Sequence, residues 1–258
     1  MRGTAKEVTR TLNRRALILQ SLLDDPKTKR ELVDEVGISR STIDRGVREL
    51  ENLGLIEYET GNYRLTQVGQ FLGRSFLEFY DVVDVTTRVA PFLAWMDPEW
   101  FDVDLCSLRD ARIFIADADN SFGPWDSHAE SVRSTRSYRG LLPSVGREPM
   151  EIKYQSILEN DAEHEVIVGP DVAALLYSEP LVDVFDEMLA TGRVTVSVYP
   201  ESIPYYLGIF DDDVVQVGSC DHFGLPYALL ESTNPDVVEW AERKISSYKD
   251  NAVDISVF

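Results

Sequence analysis

Lysine, histidine and cysteine are all scarce in this chain, with 6 Lys, 3 His and 2 Cys in 258 residues. Cys106 and Cys220 lie far apart and lack metal-type spacing, which excludes a zinc finger. Two cysteines in a chain of this size read as reduced core residues rather than as a disulfide. No run approaches 18 apolar residues, so no membrane-spanning helix is expected. The opening MRGTAKEVTRTLNRR has no apolar h-region, and the expected location is the cytoplasm. No G-x-S-x-G elbow, Walker loop or G-x-G-x-x-G occurs, which removes the common serine-hydrolase, nucleotide-hydrolase and dinucleotide-binding readings. No cofactor and no metal site are implied.

What is abundant is acid. The net charge of −20 looks wrong for a chain that meets nucleic acid. Residues 1–75, however, hold 13 Lys+Arg against 11 Asp+Glu, a net of +2, whereas the remainder carries −22. A phosphate backbone can be met without strong repulsion only in the N-terminal part. Arginine outnumbers lysine 19 to 6. With so much Asp and Glu, that skew points to a protein from a salt-rich cytoplasm, an acidic mesophilic protein being the alternative.

The N-terminal part has the pattern of a winged helix-turn-helix. Leu12, Ala16, Leu19 and Leu23 predict an amphipathic helix over 12–24, ended by Asp24-Asp25-Pro26. Thr28 and Glu31 have the spacing of a capping box and open a second helix. Gly37 makes the turn, Ile38 plugs the gap, and Ser39 caps a third helix. In that helix Ile43, Val47 and Leu50 share one face, and Ser41, Arg45 and Arg48 project from the opposite one. A recognition helix needs donors on its outer face for guanine edges or phosphates in the major groove. Asp44 either accepts from a cytosine or pairs with Arg48. Ile56/Tyr58 and Tyr63/Leu65 alternate about Thr60-Gly61-Asn62, a short hairpin. Its glutamates Glu57 and Glu59 argue that this wing contributes less than the helix. Double-stranded DNA is thus the expected partner, through Lys29, Ser39, Arg40, Ser41, Thr42, Arg45, Arg48, Asn62 and Arg64. Residues 12–66, and ISRSTIDRGVRELENLGLIEYETGNYRLTQVG above all, resemble the winged-helix domains of MarR-, ArsR- and TrmB-type regulators, in haloarchaeal wording.

Beyond Thr66 a helix is predicted with Val68, Leu72, Phe76, Phe79 and Val83 in a stripe widened by Phe71 and Tyr80. It is too apolar to stand alone. Either it is buried within the chain, or it pairs with its copy in a homodimer, as winged-helix regulators that read pseudo-palindromic sites do.

From about residue 110, strands and helices alternate, which argues for an α/β sheet. Strands are expected at ARIFIAD, YRGLLPSV, HEVIVG, VTVSVYP, YLGIFDD, VVQVGS and YALLEST, with helices at 149–160, 171–191 and 235–250. Asp211-Asp212-Asp213 reads as a hairpin turn whose carboxylates are solvated, not as a metal cluster. In open α/β sheets ligands sit beyond the carboxyl ends of parallel strands. Arg139, Ser144, Arg147, Gly169, Tyr199 and Tyr205 are therefore candidates for an effector site, with free backbone donors at the helix starting at 171, for a small anionic or sugar-like metabolite.

Residues 98–250, through YRGLLPSV, EVIVGP, ATGRVTVSVYPESIPYYLGIFDDDVVQVG and NPDVVEWAERKISSYKDNA, resemble the FilR1-type effector domain of archaeal regulators. The resemblance implies a phospholipase-D-like or TrmB-like module that senses a signal. Phospholipase-D chemistry needs His-x-Lys. The histidines here read His128-Ala-Glu, His164-Glu-Val and His222-Phe-Gly, so no catalytic motif is present, and each is read singly as a surface or core histidine. The expected protein is an α+β winged helix-turn-helix (1–66), a connecting and dimerisation helix (67–97) and an α/β effector domain (98–258). It is expected to be a sequence-specific, homodimeric transcription regulator, not an enzyme. An adaptor of the transcription machinery and a phosphodiesterase-like enzyme with a degenerate DNA-binding domain are the alternatives.

Overall fold

A computed structural model of the protein describes residues 3–116, 120–220 and 226–257. It divides into two compact units, Met1–Asp84 and Val85–Phe258.

The first unit orders four helices, a hairpin and the start of a long helix: α1 (Ala5–Arg14), α2 (Ala16–Asp24), α3 (Lys29–Val36), α4 (Arg40–Leu53), β1 (Ile56–Glu59), β2 (Asn62–Leu65) and α5 (Gln67–Leu93). The single helix expected over 12–24 is in fact two. Thr4 and Glu7 form a capping box that starts α1, Val8 and Leu12 are its buried stripe, and Arg15 closes it before α2 begins. At α3 the expected box is present: the Thr28 N–H donates to Glu31 at 2.7 Å and the Glu31 N–H to the Thr28 hydroxyl at 3.2 Å. Gly37 then takes φ +71, left-handed backbone that ends α3 and turns the chain into α4. Leu19, Leu32, Ile43, Val47 and Leu50 meet in one core. The hairpin pairs Ile56 with Leu65 and Tyr58 with Tyr63, and Lys27 adds a bridge to Tyr63. α5 begins hard against this core. A Cβ at Gly69 would lie 1.9 Å from the Leu55 carbonyl oxygen, and Leu72 and Phe76 pack inward.

The second unit opens with the end of α5, then β3 (Arg112–Ile115), α6 (Gly123–Ser134), β4 (Ser137–Leu142), α7 (Arg147–Asn160), β5 (Glu163–Val168), α8 (Pro170–Leu176), α9 (Val182–Ala190), β6 (Val194–Val198), β7 (Tyr206–Phe210), β8 (Val214–Cys220), β9 (Pro226–Ser232), α10 (Pro235–Lys249) and β10 (Val253–Asp254). Eight strands form one sheet in the order β10-β6-β5-β4-β7-β8-β9-β3. β4, β5 and β6 run parallel; the other neighbours are antiparallel. Alternation along the strands gives two faces. Leu141, Ile167, Leu207, Ile209, Val215 and Val217 pack with Trp240 and Ile245 of α10 and with Val89 and Phe92 of α5. Tyr138, Val166, Val168, Val196, Tyr206 and Phe210 pack with α6 to α9 through Val132, Ile157, Val172 and Phe185.

The structure corrects the sequence reading in several places. The helix expected over 171–191 is split into α8 and α9 around Pro180, whose ring and missing N–H do not suit a helix interior. α6 and the two-residue β10 were not expected. The borders expected at 66 and 97 fall either side of the division at Asp84, because the first turns of α5 pack on one core and its last turns on the other. The 211–213 run does form the β7–β8 turn, with Asp211 and Asp212 at positive φ. Its carboxylates are not simply solvated. Asp211 accepts from the N–H of Arg136 and Ser137 and the Thr135 hydroxyl, at 2.8, 2.9 and 3.0 Å, and Asp212 binds Arg139. Among the described residues no group of three His, Cys, Asp or Glu is placed to hold a metal ion, and no helix is long and apolar enough to cross a membrane. Cys106 is a half-buried free thiol; His222 and the side chain of Cys220 lie outside the described residues.

Candidate functional site

α4 owes its outward face to what holds its inward one. Ile43, Val47 and Leu50 are buried, and Gly46 lets the helix come close to α2, where a Cβ would meet Ile18 Cδ1 at 2.4 Å. With that stripe fixed, Arg40, Ser41, Arg45 and Arg48 are exposed. Ser41, Arg45 and Arg48 fall within about 60° of one another around the axis at roughly 100° per residue. Ser39 caps the helix, its hydroxyl accepting from the Thr42 N–H at 3.3 Å and sharing hydrogen bonds with the Ser41 and Thr42 hydroxyls at 3.0 and 2.8 Å. The N-terminal turn thus carries three hydroxyls beside exposed guanidinium groups.

The charges around this face are paired selectively. Arg14 and Arg15 both bind Glu49, Lys27 binds Glu35, and Lys29 binds Asp44 at 2.8 Å. Arg40, Arg45 and Arg48 make no ion pair among the described residues. Asp44 therefore does not pair with Arg48 as one reading of the sequence had it. Its carboxyl is held below the usual range first by the hydrogen bond from Lys29, and Lys29 is raised in turn by Asp44. Lys29 also sits 5.6 Å over the Tyr63 ring, which draws it away from the outer face. On the wing, Arg64 is clamped by Glu57 and Glu59 at 2.9 and 2.8 Å. Asn62 is half-buried at the start of β2. Tyr63 is buried, and Tyr58 is exposed but rests against it at 4.9 Å. The cationic surface free to meet an anion is thus on α4 rather than on the wing.

The second unit holds a cavity of about 60 Å³ on the α6–α9 face of its sheet, along β5 and beyond the end of β4. Its walls are mostly apolar, including Val166, Val168, Val172, Leu176, Phe185, Met188 and Val196. Five polar groups interrupt them: the Tyr206 hydroxyl, Ser144, His128, Lys153 and His164. The last three are 6, 6 and 2% exposed. Lys153 Nζ lies 3.5 Å from His128 Nε2 and 5.3 Å from the centre of the Tyr138 ring. His128 Nδ1 lies 3.0 Å from the Gln216 side-chain oxygen, and donating there leaves Nε2 to accept from Lys153. The Gln216 amide donates in turn to Ser131 and Glu231, both at 2.9 Å. Both nitrogens of His164 and the Ser144 hydroxyl are buried without a hydrogen-bond partner among the described residues. Burial, with the Lys153 ammonium adding to it, pushes both imidazoles down to about 3, so they are neutral at ordinary pH.

Of the six effector candidates read from the sequence, only Ser144 lines this cavity. Arg139 lies on the opposite face of the sheet, bound to Asp212 and to Glu242 of α10. Tyr199 rests on Tyr248 and Tyr205 on Trp100, both on that opposite side. Arg147 is exposed and bound to Glu151. Gly169 closes on the backbone of Glu201 and Ser202, and the α8 it precedes is only seven residues long. His128 and His164, read singly from the sequence, are drawn together by Lys153. Spacing gave a usable signal for two of the three. Lys153 falls at helical spacing with the buried Met150 and Ile157, and His164 alternates with Val166 and Val168.

Residues 5–88 match the profile of the HVO_A0261 N-terminal domain, and residues 121–251 that of the middle domain of the methanogenesis regulatory protein FilR1. No curated protein matches the chain in sequence. Among solved structures, the chain is similar to TrmBL2, an archaeal chromatin protein, at 13% identity and TM-score 0.41, with 93% of each chain covered. It is similar to Nuc, a phospholipase D family member from Salmonella typhimurium, at 10% identity and TM-score 0.45, over 56% of this chain and 97% of that one. NucT from Helicobacter pylori aligns at 14% identity and TM-score 0.42, over 56% and 98%.

Proposed function

Because the chain belongs to the family of the FilR1 middle domain, matched over 121–251 and so over half its length, we propose that it is a DNA-binding transcription regulator whose second unit receives a small-molecule or metabolic signal. The observation that carries the DNA reading is the outer face of α4. Arg40, Arg45 and Arg48 stand exposed and make no ion pair among the described residues, in a unit that pairs most of its neighbouring cations. An exposed arginine flanked by hydroxyls at a helix start is suited to the major groove, where guanidinium groups bind guanine edges and phosphates. The missing His-x-Lys disfavours a phosphodiesterase.

The regulator acts as a homodimer through α5. Phe71 and Phe79 are 71 and 63% exposed, and Val68 is also exposed. The three fall within about 80° of one another around the helix at roughly 100° per residue. Phe76, placed in the same seam by the sequence reading, packs instead on the core of the first unit. The test is therefore Phe79→Asp. It should give monomers by light scattering and lower affinity for a duplex with two half-sites about a hundredfold, because the second half-site is no longer tethered. Affinity for a single half-site should be unchanged. A dimer that survives the substitution, with two-half-site affinity intact, places the seam elsewhere.

A further inference from the structure

We propose that the cavity beneath α7, α8 and α9 takes a short-chain aliphatic alcohol: a small neutral molecule whose hydroxyl meets the His164 ring and whose apolar tail fills the valine-lined remainder. The inference rests on the reading of the second unit as the signal-receiving part of the protein, and it names the site and the ligand chemistry.

Three observations carry it. First, the wall holds an unmatched polar group. His164 is 2% exposed, and neither ring nitrogen has a hydrogen-bond partner among the described residues. The ring is part of the cavity wall and packs on the Tyr138 ring at 5.4 Å. Buried polar atoms ordinarily have partners, so an unmatched imidazole on a cavity wall marks a place where a ligand supplies one. The Ser144 hydroxyl is unmatched too, but it lies beyond the end of β4, which pairs with the end of β5, whereas His164 lies near the start of β5. The four residues from His164 to Val168 span roughly 13 Å, so a small head engages one of the two groups, and His164 offers the more. Second, the head is neutral and carries a hydrogen. Burial first, and Lys153 second, push the His164 ring down to about 3. It therefore presents one N–H and one bare nitrogen. A hydroxyl donates to the bare nitrogen or accepts from the N–H, and so matches the ring in either tautomer. A carboxylate only accepts, and burying its charge costs far more than burying a hydroxyl. Lys153 already meets His128 and the face of the Tyr138 ring, and the alcohol needs nothing from it. Third, the rest of the ligand is apolar and small. Val166, Val168, Val172, Phe185 and Val196 line the cavity, which leaves the many hydroxyls of a sugar unmatched. Its volume of about 60 Å³ holds about four to six water-sized groups, the size of propanol to pentanol, at roughly 10–15 Å³ for each.

The test is a ligand-observed NMR titration of the full-length protein with ethanol, 1-propanol, 1-butanol and 1-octanol, and with sodium butyrate and glycerol as probes lacking the neutral head or the apolar tail. Affinity should tighten about fourfold per added methylene from ethanol to butanol, and then be lost at octanol. Butyrate and glycerol should not compete with butanol. His164→Phe keeps an aromatic ring and removes both nitrogens, and it should weaken butanol binding about fivefold. Val172→Phe should abolish it by filling the cavity, and Arg147→Ala, outside the cavity, should leave it unchanged. The wild-type profile of chain length and head group needs no variant and stands even if His164→Phe fails to fold. Butyrate binding as tightly as butanol, affinity with no dependence on chain length, or butanol binding that survives Val172→Phe overturns the proposal. So does a folded His164→Phe with butanol affinity unchanged, or the absence of saturable binding to every alcohol. Butanol that binds in the cavity but leaves DNA affinity unchanged keeps this site and its ligand class and overturns only the reading of the unit as a signal receiver.

Discussion

Replacing Arg45 and Arg48 together with alanine should lower affinity for the protein's own DNA site about thirtyfold or more, taking about 1 kcal/mol or more for each lost base contact. The protein should remain fully folded, because both side chains are exposed and neither makes an ion pair among the described residues. Asp44 and Lys29 hold each other, and Glu49 is held by Arg14 and Arg15, so removing the two arginines leaves no buried partner stranded. Arg64→Ala should have a much smaller effect, since Glu57 and Glu59 already neutralise that side chain. Fluorescence anisotropy with a labelled duplex reads both. Wild-type affinity in the double variant, or a larger loss from Arg64→Ala, would move the interface off α4.

The second large effect is on stability against pH. His128 and His164 are pushed from 6.5 down to about 3 in the folded chain. Below pH 6.5 the unfolded chain binds protons at these two positions that the folded chain does not. Stability contributed by keeping them neutral is therefore fully present above the unfolded value and is lost as pH falls toward the folded one. Two such groups together should take about 3 kcal/mol from the second unit between about pH 7.5 and 5.5. All four tryptophans, Trp95, Trp100, Trp125 and Trp240, lie in that unit, so tryptophan fluorescence during denaturant unfolding reports on it selectively. His164→Leu should halve the loss. A stability flat across that interval would mean the imidazoles are solvated.

The sequence made the first unit legible because its determinants are local. Thr28 and Glu31, Gly37, Ser39 and the Thr60–Asn62 turn act over three or four residues each, and the structure places every one in its expected role. α6 was missed for a physical reason. Its buried stripe is Trp125, His128, Ala129 and Val132, and a stripe half made of histidine and alanine does not register as apolar. The parallel strands were legible from alternation, but which residues share a face of the finished sheet depends on its order. Arg139 and Tyr138 are adjacent in sequence and lie on opposite faces, the first bound to α10 and the second against the cavity's lysine. Effector residues chosen by nearness to strand ends were therefore scattered over both faces. The Lys153 cluster joins a helix, a second helix and a strand that no local pattern connects.

The central claim, that α4 reads DNA sequence from a dimer, is tested most directly by selecting bound duplexes from a random library with the full-length protein in concentrated KCl. The expected result is enrichment of a pseudo-palindromic site with half-sites about one helical turn apart, or a whole multiple of it. Recovery of duplexes with no common sequence, at affinities no better than the library average, would contradict it.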